Sequence, residues 1–253
     1  MINKIVSTFD EAVSGIKDGA KLLIGNFGGP AECPSYLIAA VARTGIKNLT
    51  VVGNSGGWGI DFMNAIRTRM ASVIKFPPDF YDVGLLVEKG QVGKGILAFP
   101  AAIGRIYTPF EKKVMSGEVE LELVGQGSIA EGIRAARAGI PAFYTPTGVG
   151  TFVGEGKEVR EFDGRKYLLE HAIKGDMSLI RAHKADRYGN LVYKGTARTF
   201  NATMAGASTI TVAEVDEVVE LGELNPEHIV TPGVYVQRVV VRPREPQPWD
   251  EPL

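Results

Sequence analysis

Short apolar runs that end in glycine alternate with amphipathic segments over the first 145 residues. The run Leu22, Leu23 and Ile24 is typical of a buried strand, and it stops at Gly25. Apolar positions at 49–52, 92–99 and 119–124 predict further strands, and residues between these runs recur at helical spacing. This alternation predicts an α/β fold with an open, mainly parallel sheet and helices on both faces.

Capping signals mark where the predicted helices begin and end. A Ser or Thr is followed by Glu three residues later at three places, Thr8 with Glu11, Thr108 with Glu111, and Ser128 with Glu131. Gly45 and Gly139 follow two of the amphipathic segments, as expected of glycines that end helices. A further strand is predicted at 140–145.

The pattern becomes strand-rich after residue 146. Asp163 and Gly164 form a two-residue turn between two strand-like segments, which predicts a β-hairpin. Strands are also predicted at 209–213, 218–221 and 234–241, completing or extending the first sheet. We interpret residues 1–242 as a single domain, and expect the Pro-rich residues 243–253 to form a loosely docked or disordered tail.

Composition excludes several functional classes. The 253 residues are 45% apolar and carry 28 basic and 29 acidic side chains, so no charge excess predicts binding to nucleic acid or to an anionic membrane. No signal peptide and no apolar run of membrane-spanning length is found. Cys33 is the single cysteine, which excludes an internal disulfide and favours a reducing cytoplasm.

Three glycine-rich loops, at 25–30, 53–59 and 125–128, follow predicted strands. Ligands of open α/β sheets bind beyond the carboxyl ends of the strands, so we expect the three loops to meet there. A strand, a glycine loop and a helix start together present backbone N–H groups to an anion. The first loop alone fits an ordinary strand-to-helix turn equally well.

Other motifs are incomplete. Gly125-Gln126-Gly127 begins like a dinucleotide fingerprint, but Ala130 stands where the third glycine belongs. The histidines are isolated from one another and from Cys33, so no metal site is predicted. We expect His183 to be a surface strand residue and Cys33 to be a small buried residue rather than a nucleophile.

The sequence resembles the α subunit of family I CoA-transferases, most of all those acting on 3-oxoacids and 3-oxoadipate. The resemblance covers residues 2–241, and its most specific stretches are 18–34, 126–151 and 155–170. Segments 140–148, Ile-Pro-Ala-Phe-Tyr-Thr-Pro-Thr-Gly, and 219–229, Val-Glu-Leu-Gly-Glu-Leu-Asn-Pro-Glu-His-Ile, are distinctive. The resemblance implies an α/β open sheet, in agreement with the hydrophobic pattern.

The resemblance also implies an activity and a partner. Such enzymes move CoA from an acyl-CoA donor, here expected to be succinyl-CoA, to a carboxylic acid through a glutamyl-CoA intermediate. The glutamate lies in a Ser-Glu-Asn-Gly stretch of a separate β subunit, and this chain has no such stretch. We therefore expect a hetero-oligomer, α2β2, with CoA as a substrate and neither a metal nor another cofactor.

Site residues follow from the resemblance position by position. Gln126 would donate its amide N–H to the thioester oxyanion, although it also fits a residue that caps the next helix. Asn54 and Ser55 occupy a paired-asparagine position near the substrate, with local turn bonding as the alternative. The loop residues would shape the acyl and CoA pocket, together with Gly127; they are Gly25, Asn26, Phe27, Gly28 and Gly29.

Departures from the family pattern leave the acyl substrate open. Asn26 and Ala31 replace loop glycines, Pro34 comes one residue late, and residues 59–79 are longer than expected. One alternative is an acetate- or butyrate-type CoA-transferase or acyl-CoA hydrolase subunit. Another is a non-catalytic sensor of sugar phosphates or acyl-CoA built on a similar sheet.

Overall fold

The structure, a computed structural model, describes residues 2–27, 33–69, 80–101 and 107–243. Gly28 and Gly29 and nearly all of the Pro-rich tail lie outside the described residues. So do residues 72–76, where the sequence predicts a short strand.

The described strands form a large sheet and a small one. The large sheet has eight strands in the order β11-β10-β8-β1-β2-β3-β4, with β9 pairing on β8, and every neighbour on that path is parallel. Its strands are β1 (Lys21–Ile24), β2 (Leu49–Ser55), β3 (Val92–Phe99), β4 (Glu120–Leu123), β8 (Gly175–Asp186), β9 (Leu191–Val192), β10 (Ser208–Val219) and β11 (Arg238–Val241). The predicted parallel sheet is confirmed, and the C-terminal half completes it.

Helices cover both faces of this sheet, as predicted. The described helices are α1 (Phe9–Ala12), α2 (Ser35–Thr44), α3 (Gly59–Arg69), α4 (Val83–Glu88), α5 (Pro109–Met115), α6 (Gln126–Ala138) and α7 (Thr199–Met204). Leu22 and Ile24 of β1 face a core that includes α1, α2, α4 and α5, whereas Leu23 faces a second core with α6 and α7. Alternate residues of one strand are thus buried on opposite faces.

Helix ends follow the predicted capping chemistry at most places. Thr8 caps α1 as predicted, but Glu11 accepts the N–H of Ser7 instead of that of Thr8. Gly45 and Gly139 end α2 and α6 in the left-handed conformation, with φ of 72° and 73°. Thr108 and Glu111 form a complete capping box on α5. Ser128, however, is not an N-cap: α6 begins two residues earlier, after Gly125, because the Gly125 carbonyl already accepts the first helical hydrogen bond from Ile129.

The strand predicted at 140–145 leaves the parallel sheet. It forms β5 (Ala142–Thr145) in a separate antiparallel sheet with β7 (Arg165–His171) and β6 (Val159–Phe162). The β6–β7 hairpin turns at Asp163 and Gly164, whose φ angles are 49° and 74°. Positive φ at both turn residues confirms the predicted two-residue hairpin.

Strand β10 is one strand rather than the two predicted at 209–213 and 218–221. The apolar pattern breaks at Glu214, yet this residue is fully buried within the strand. Its Oε2 accepts the N–H groups of Tyr36 and Leu37 at the start of α2, at 2.9 and 3.1 Å. A long-range cap therefore allows a charged residue inside a buried strand, which no local pattern reveals.

Candidate active site

The described parts of the three predicted loops meet at the carboxyl edge of the large sheet. Asn54, near the end of β2, donates its Nδ2 to the Phe27 carbonyl at 2.9 Å. Gln126, the first residue of α6, donates its Nε2 to Asn54 Oδ1 at 2.7 Å. One chain of hydrogen bonds thus joins the ends of β1 and β2 to the start of α6.

This chain fixes the direction of both side-chain amides. The Phe27 carbonyl can only accept, so Asn54 must turn its NH2 group toward it. The remaining Asn54 oxygen also only accepts, so Gln126 must present its NH2 group to that oxygen. An amide NH2 has two hydrogens, and this hydrogen bond uses one of those on Gln126. The other hydrogen is not used by this bond.

Gly25 is required by close packing against Asn201. A Cβ atom on Gly25 would lie 1.7 Å from Asn201 Oδ1. The Asn201 side chain is fully buried; it accepts the Arg181 N–H at 2.8 Å and donates to the Ala197 carbonyl at 2.9 Å. Asn201 therefore fastens α7 to β1 and β8 beneath the site. It was not predicted from the sequence, since it belongs to no recognisable motif.

An open cavity of about 230 Å³ lies beside Gln126. The Phe27 ring, 42% exposed, stacks on the buried Phe200 ring with 6.1 Å between centroids. The cavity is lined by Phe27, Gln126, Gly127, Ala130, Thr199, Phe200 and Thr203. Helix α7 thus supplies one wall of the cavity. This wall was not predicted, because the apolar residues of α7 have the same sequence pattern as those of any helix that packs in a hydrophobic core.

The second glycine loop is held by a buried carboxylate. Asp82 accepts the backbone N–H groups of Trp58, Gly59 and Gly84 at 2.6, 3.2 and 2.9 Å. Burial raises the pKa of Asp82 despite these hydrogen bonds. Gly57 passes so close that a Cβ on it would lie 2.1 Å from the Gly84 nitrogen. Asp82 therefore holds the loop that directly follows Asn54.

The other predicted site residues lie in the same region. Asn26 is buried next to Phe27, and Ser55 ends β2 with its side chain partly exposed. Gly127 has no atom within 4 Å of the position that a Cβ would take, so its surroundings are open. The structure therefore brings the described predicted residues to one edge, while their roles stay predictions.

A charged cluster lies on β8, β10 and β11 near the start of α2. Asp216 contacts Arg181 at 2.7 Å, His183 Nδ1 at 2.9 Å and Arg242 at 3.6 Å. Burial alone would raise the pKa of Asp216, but the His183 hydrogen bond and the two arginine charges hold it below its ordinary value. Burial raises the pKa of Glu214 in spite of Arg181 and Arg242. His183 is thus part of an ion cluster and not a plain surface residue.

Cys33 is buried, as expected. Its Sγ donates to the Tyr81 carbonyl at 3.3 Å, and burial raises the pKa of the thiol well above its ordinary value. No group of three or more His, Cys, Asp or Glu side chains in the described ranges is placed to hold a metal ion. None of the helices described is long and apolar enough to cross a membrane.

Solved structures with the same fold include two CoA-transferases. An acyl-CoA transferase from Escherichia coli O157:H7 superposes with a TM-score of 0.76 at 23% identity, covering 97% of this chain and 48% of that chain. Glutaconate coenzyme A-transferase from Acidaminococcus fermentans gives a TM-score of 0.76 at 20% identity, covering 95% and 76%. At these identities the likeness shows the fold alone.

Sequence comparisons are more specific. The α subunit of 3-oxoadipate CoA-transferase from Pseudomonas putida is 44% identical over 242 residues, covering 95% of this chain and 94% of the relative. The α subunit of succinyl-CoA:3-ketoacid coenzyme A transferase from Helicobacter pylori is also 44% identical, covering 94% and 92%. The family model described as coenzyme A transferase matches residues 6–242. The chain belongs to the coenzyme A transferase family.

Proposed function

We propose that this chain is the α subunit of a two-subunit CoA-transferase that moves CoA from succinyl-CoA to a 3-oxo acid, either 3-oxoadipate or acetoacetate. The similar subunits from Pseudomonas putida and Helicobacter pylori carry those activities in their names. The observation that supports the reaction most is the Phe27–Asn54–Gln126 hydrogen-bond chain, which aims an amide donor at the loop edge.

The proposed chemistry is covalent. A glutamate carboxylate from the β subunit first attacks the thioester carbonyl, and the CoA thiolate leaves to give an acyl-glutamyl anhydride. The thiolate then attacks the glutamyl carbonyl and releases the acyl group as a carboxylate, leaving a glutamyl-CoA thioester. The second acid reverses these steps and leaves as its CoA ester. CoA is a substrate throughout, and the steps need neither a metal nor another cofactor.

Gln126 has one role in this scheme. Each attack places negative charge on a carbonyl oxygen, and a donor fixed in advance stabilises that charge without reorganisation. The second N–H of the Gln126 amide is such a donor, because Asn54 holds the amide by the first. Asn54 is in this proposal a positioning residue.

We propose that the glutamate comes from a separate β subunit, in an α2β2 assembly in which each site is shared. We further propose a cytoplasmic location, since the single Cys33 is a buried free thiol.

Co-expression with a β subunit that carries the Ser-Glu-Asn-Gly stretch tests this function. The purified complex is assayed for CoA exchange between succinyl-CoA and acetoacetate, 3-oxoadipate, acetate or butyrate. We expect exchange with a 3-oxo acid and none from either polypeptide by itself. Exchange only with acetate or butyrate, net thioester hydrolysis, or a ligand-binding chain with no catalytic partner would contradict the proposal.

A further inference from the structure

The cavity beside Gln126 has one wall that is buried in the core and one that is exposed to solvent. Phe200 is 5% exposed and packs in the core with Met204, whereas Phe27, which stacks on it, is 42% exposed. Ala130 lies four residues after Gln126 on α6, so both side chains point from the same helix face. Thr203 completes the floor from α7.

We propose that this cavity holds the carbon chain of the acyl group, and that Phe200 and Ala130 limit its length. The inference rests on the proposed function, because Gln126 at the cavity rim marks where the reacting carbonyl would lie. The substrate class it assigns is a short, unbranched 3-oxo acid whose chain runs from Gln126 toward Ala130 and Phe200.

Size and polarity both support a short acyl chain. The volume of about 230 Å³ is below the roughly 300–1,000 Å³ of pockets that enclose drug-sized ligands. The walls formed by Phe27, Ala130 and Phe200 are apolar. Each methylene of the acyl chain that is buried against them therefore strengthens binding, until the chain is longer than the cavity. One methylene too many or too few in such a pocket changes kcat/KM by about 10- to 200-fold.

Two substitutions should move the length preference in opposite directions. Ala130→Val adds two methyl groups to the floor and shortens the space available to the chain. Phe200→Leu removes part of the ring wall and lengthens that space while keeping an apolar residue in the core. Ala138→Val makes the same change as the first variant at an exposed position of α6 outside the cavity lining, and serves as the control.

The test measures kcat/KM of the co-expressed complex for acetoacetate and a series of unbranched 3-oxo acids, each one methylene longer than the last, because each added methylene probes the wall. We expect Ala130→Val to lower kcat/KM for the longer acids relative to acetoacetate by about 10-fold or more. Phe200→Leu should raise the kcat/KM of the longer acids relative to acetoacetate, and Ala138→Val should leave this ratio unchanged.

The outcomes separate the two proposals. Suppose that the wild-type complex transfers CoA to 3-oxo acids, but that the kcat/KM of longer acids relative to acetoacetate is unchanged from wild type in both Ala130→Val and Phe200→Leu. The acyl chain then lies elsewhere, and only this inference is overturned. If the wild-type complex transfers no CoA, the proposed function is overturned and this inference with it. A ratio that shifts equally in Ala138→Val would also overturn it, because the change would then not come from the cavity.

Discussion

Hydrogen-bond valence decides the direction of the Gln126 amide. A backbone carbonyl at Phe27 accepts from Asn54, and Asn54 in turn accepts from Gln126. All three positions were named as site residues from the resemblance, and each lies in one of the three glycine-rich loops that the sequence marks. That Asn54 orients Gln126 was not predicted, since side-chain pairs 72 residues apart leave no local pattern.

Replacing Asn54 by Leu should free the Gln126 amide. Leu is similar to Asn in size, but it neither donates to the Phe27 carbonyl nor accepts from Gln126. We expect Asn54→Leu to lower kcat of the complex by about 100-fold, the effect of losing one oxyanion donor, with a smaller change in KM. Steady-state kinetics measure this, and an unchanged kcat would show that Asn54 does not orient the donor.

Two predicted site glycines should respond oppositely to alanine. Gly25→Ala places a Cβ 1.7 Å from the buried Asn201 Oδ1, so we expect the free energy of unfolding to fall by about 3 kcal/mol. Gly127→Ala meets open space within α6, and should stabilise the helix by about 0.5–1 kcal/mol. Chemical denaturation of the two variants measures both values. Equal effects would contradict the packing account.

At the scale of elements, the boundaries that the sequence predicted depend on local chemistry. The structure confirms the predictions made from local patterns: the glycines that end α2 and α6, the α5 capping box and the 163–164 hairpin. One error was local, since Gly125 and not Ser128 is the N-cap of α6. Two others arose where distant contacts decide: Glu214 stays inside β10 because it caps α2, and β5 pairs with β7 instead of joining the parallel sheet. Neither contact is encoded in a short window of residues.

Asp82 connects α4 to the loop that follows β2. In Asp82→Ala the N–H groups of Trp58, Gly59 and Gly84 lose their acceptor, and we expect a loss of about 3 kcal/mol in the free energy of unfolding. Asp82→Asn keeps one of the two oxygens and should lose less. Chemical denaturation measures the free energy of unfolding of both variants. A smaller loss in Asp82→Ala than in Asp82→Asn would contradict this role of Asp82.

The pH dependence of that variant pair has a definite sign. Because burial raises the pKa of Asp82, the part of its contribution to stability that depends on protonation is complete below the ordinary value of 3.8 and is lost as pH rises through the folded-state pKa. Asp82→Asn has no such group. Its stability relative to wild type should therefore improve as pH rises from below about 4.

At the scale of the whole molecule, a charged cluster joins the C-terminal strands to one another. Asp216 on β10 contacts Arg181 and His183 on β8 and Arg242 after β11. The hydrophobic pattern predicted that these strands extend the sheet. It carried no sign of the cluster, because the three segments are far apart along the chain.

The lowered pKa of Asp216 predicts acid sensitivity. Its contribution to stability is present above the ordinary value of 3.8 and is lost as pH falls through the lower folded-state pKa. Asp216→Asn should therefore flatten the fall in Tm below about pH 4. Asp10→Asn makes the same change in an exposed pair with Arg43, so it is the matched control and should follow the wild-type curve. Superimposable curves for Asp216→Asn and wild type would contradict this assignment.

The central claim is that this chain supplies a fixed amide donor for the thioester oxyanion, while the attacking carboxylate comes from the β subunit. Steady-state kinetics of Gln126→Ala in the reconstituted complex test it most directly. The account predicts a fall in kcat of about 100- to 1,000-fold, with the complex still assembled and its Tm unchanged. A kcat near the wild-type value in an assembled complex would contradict the claim.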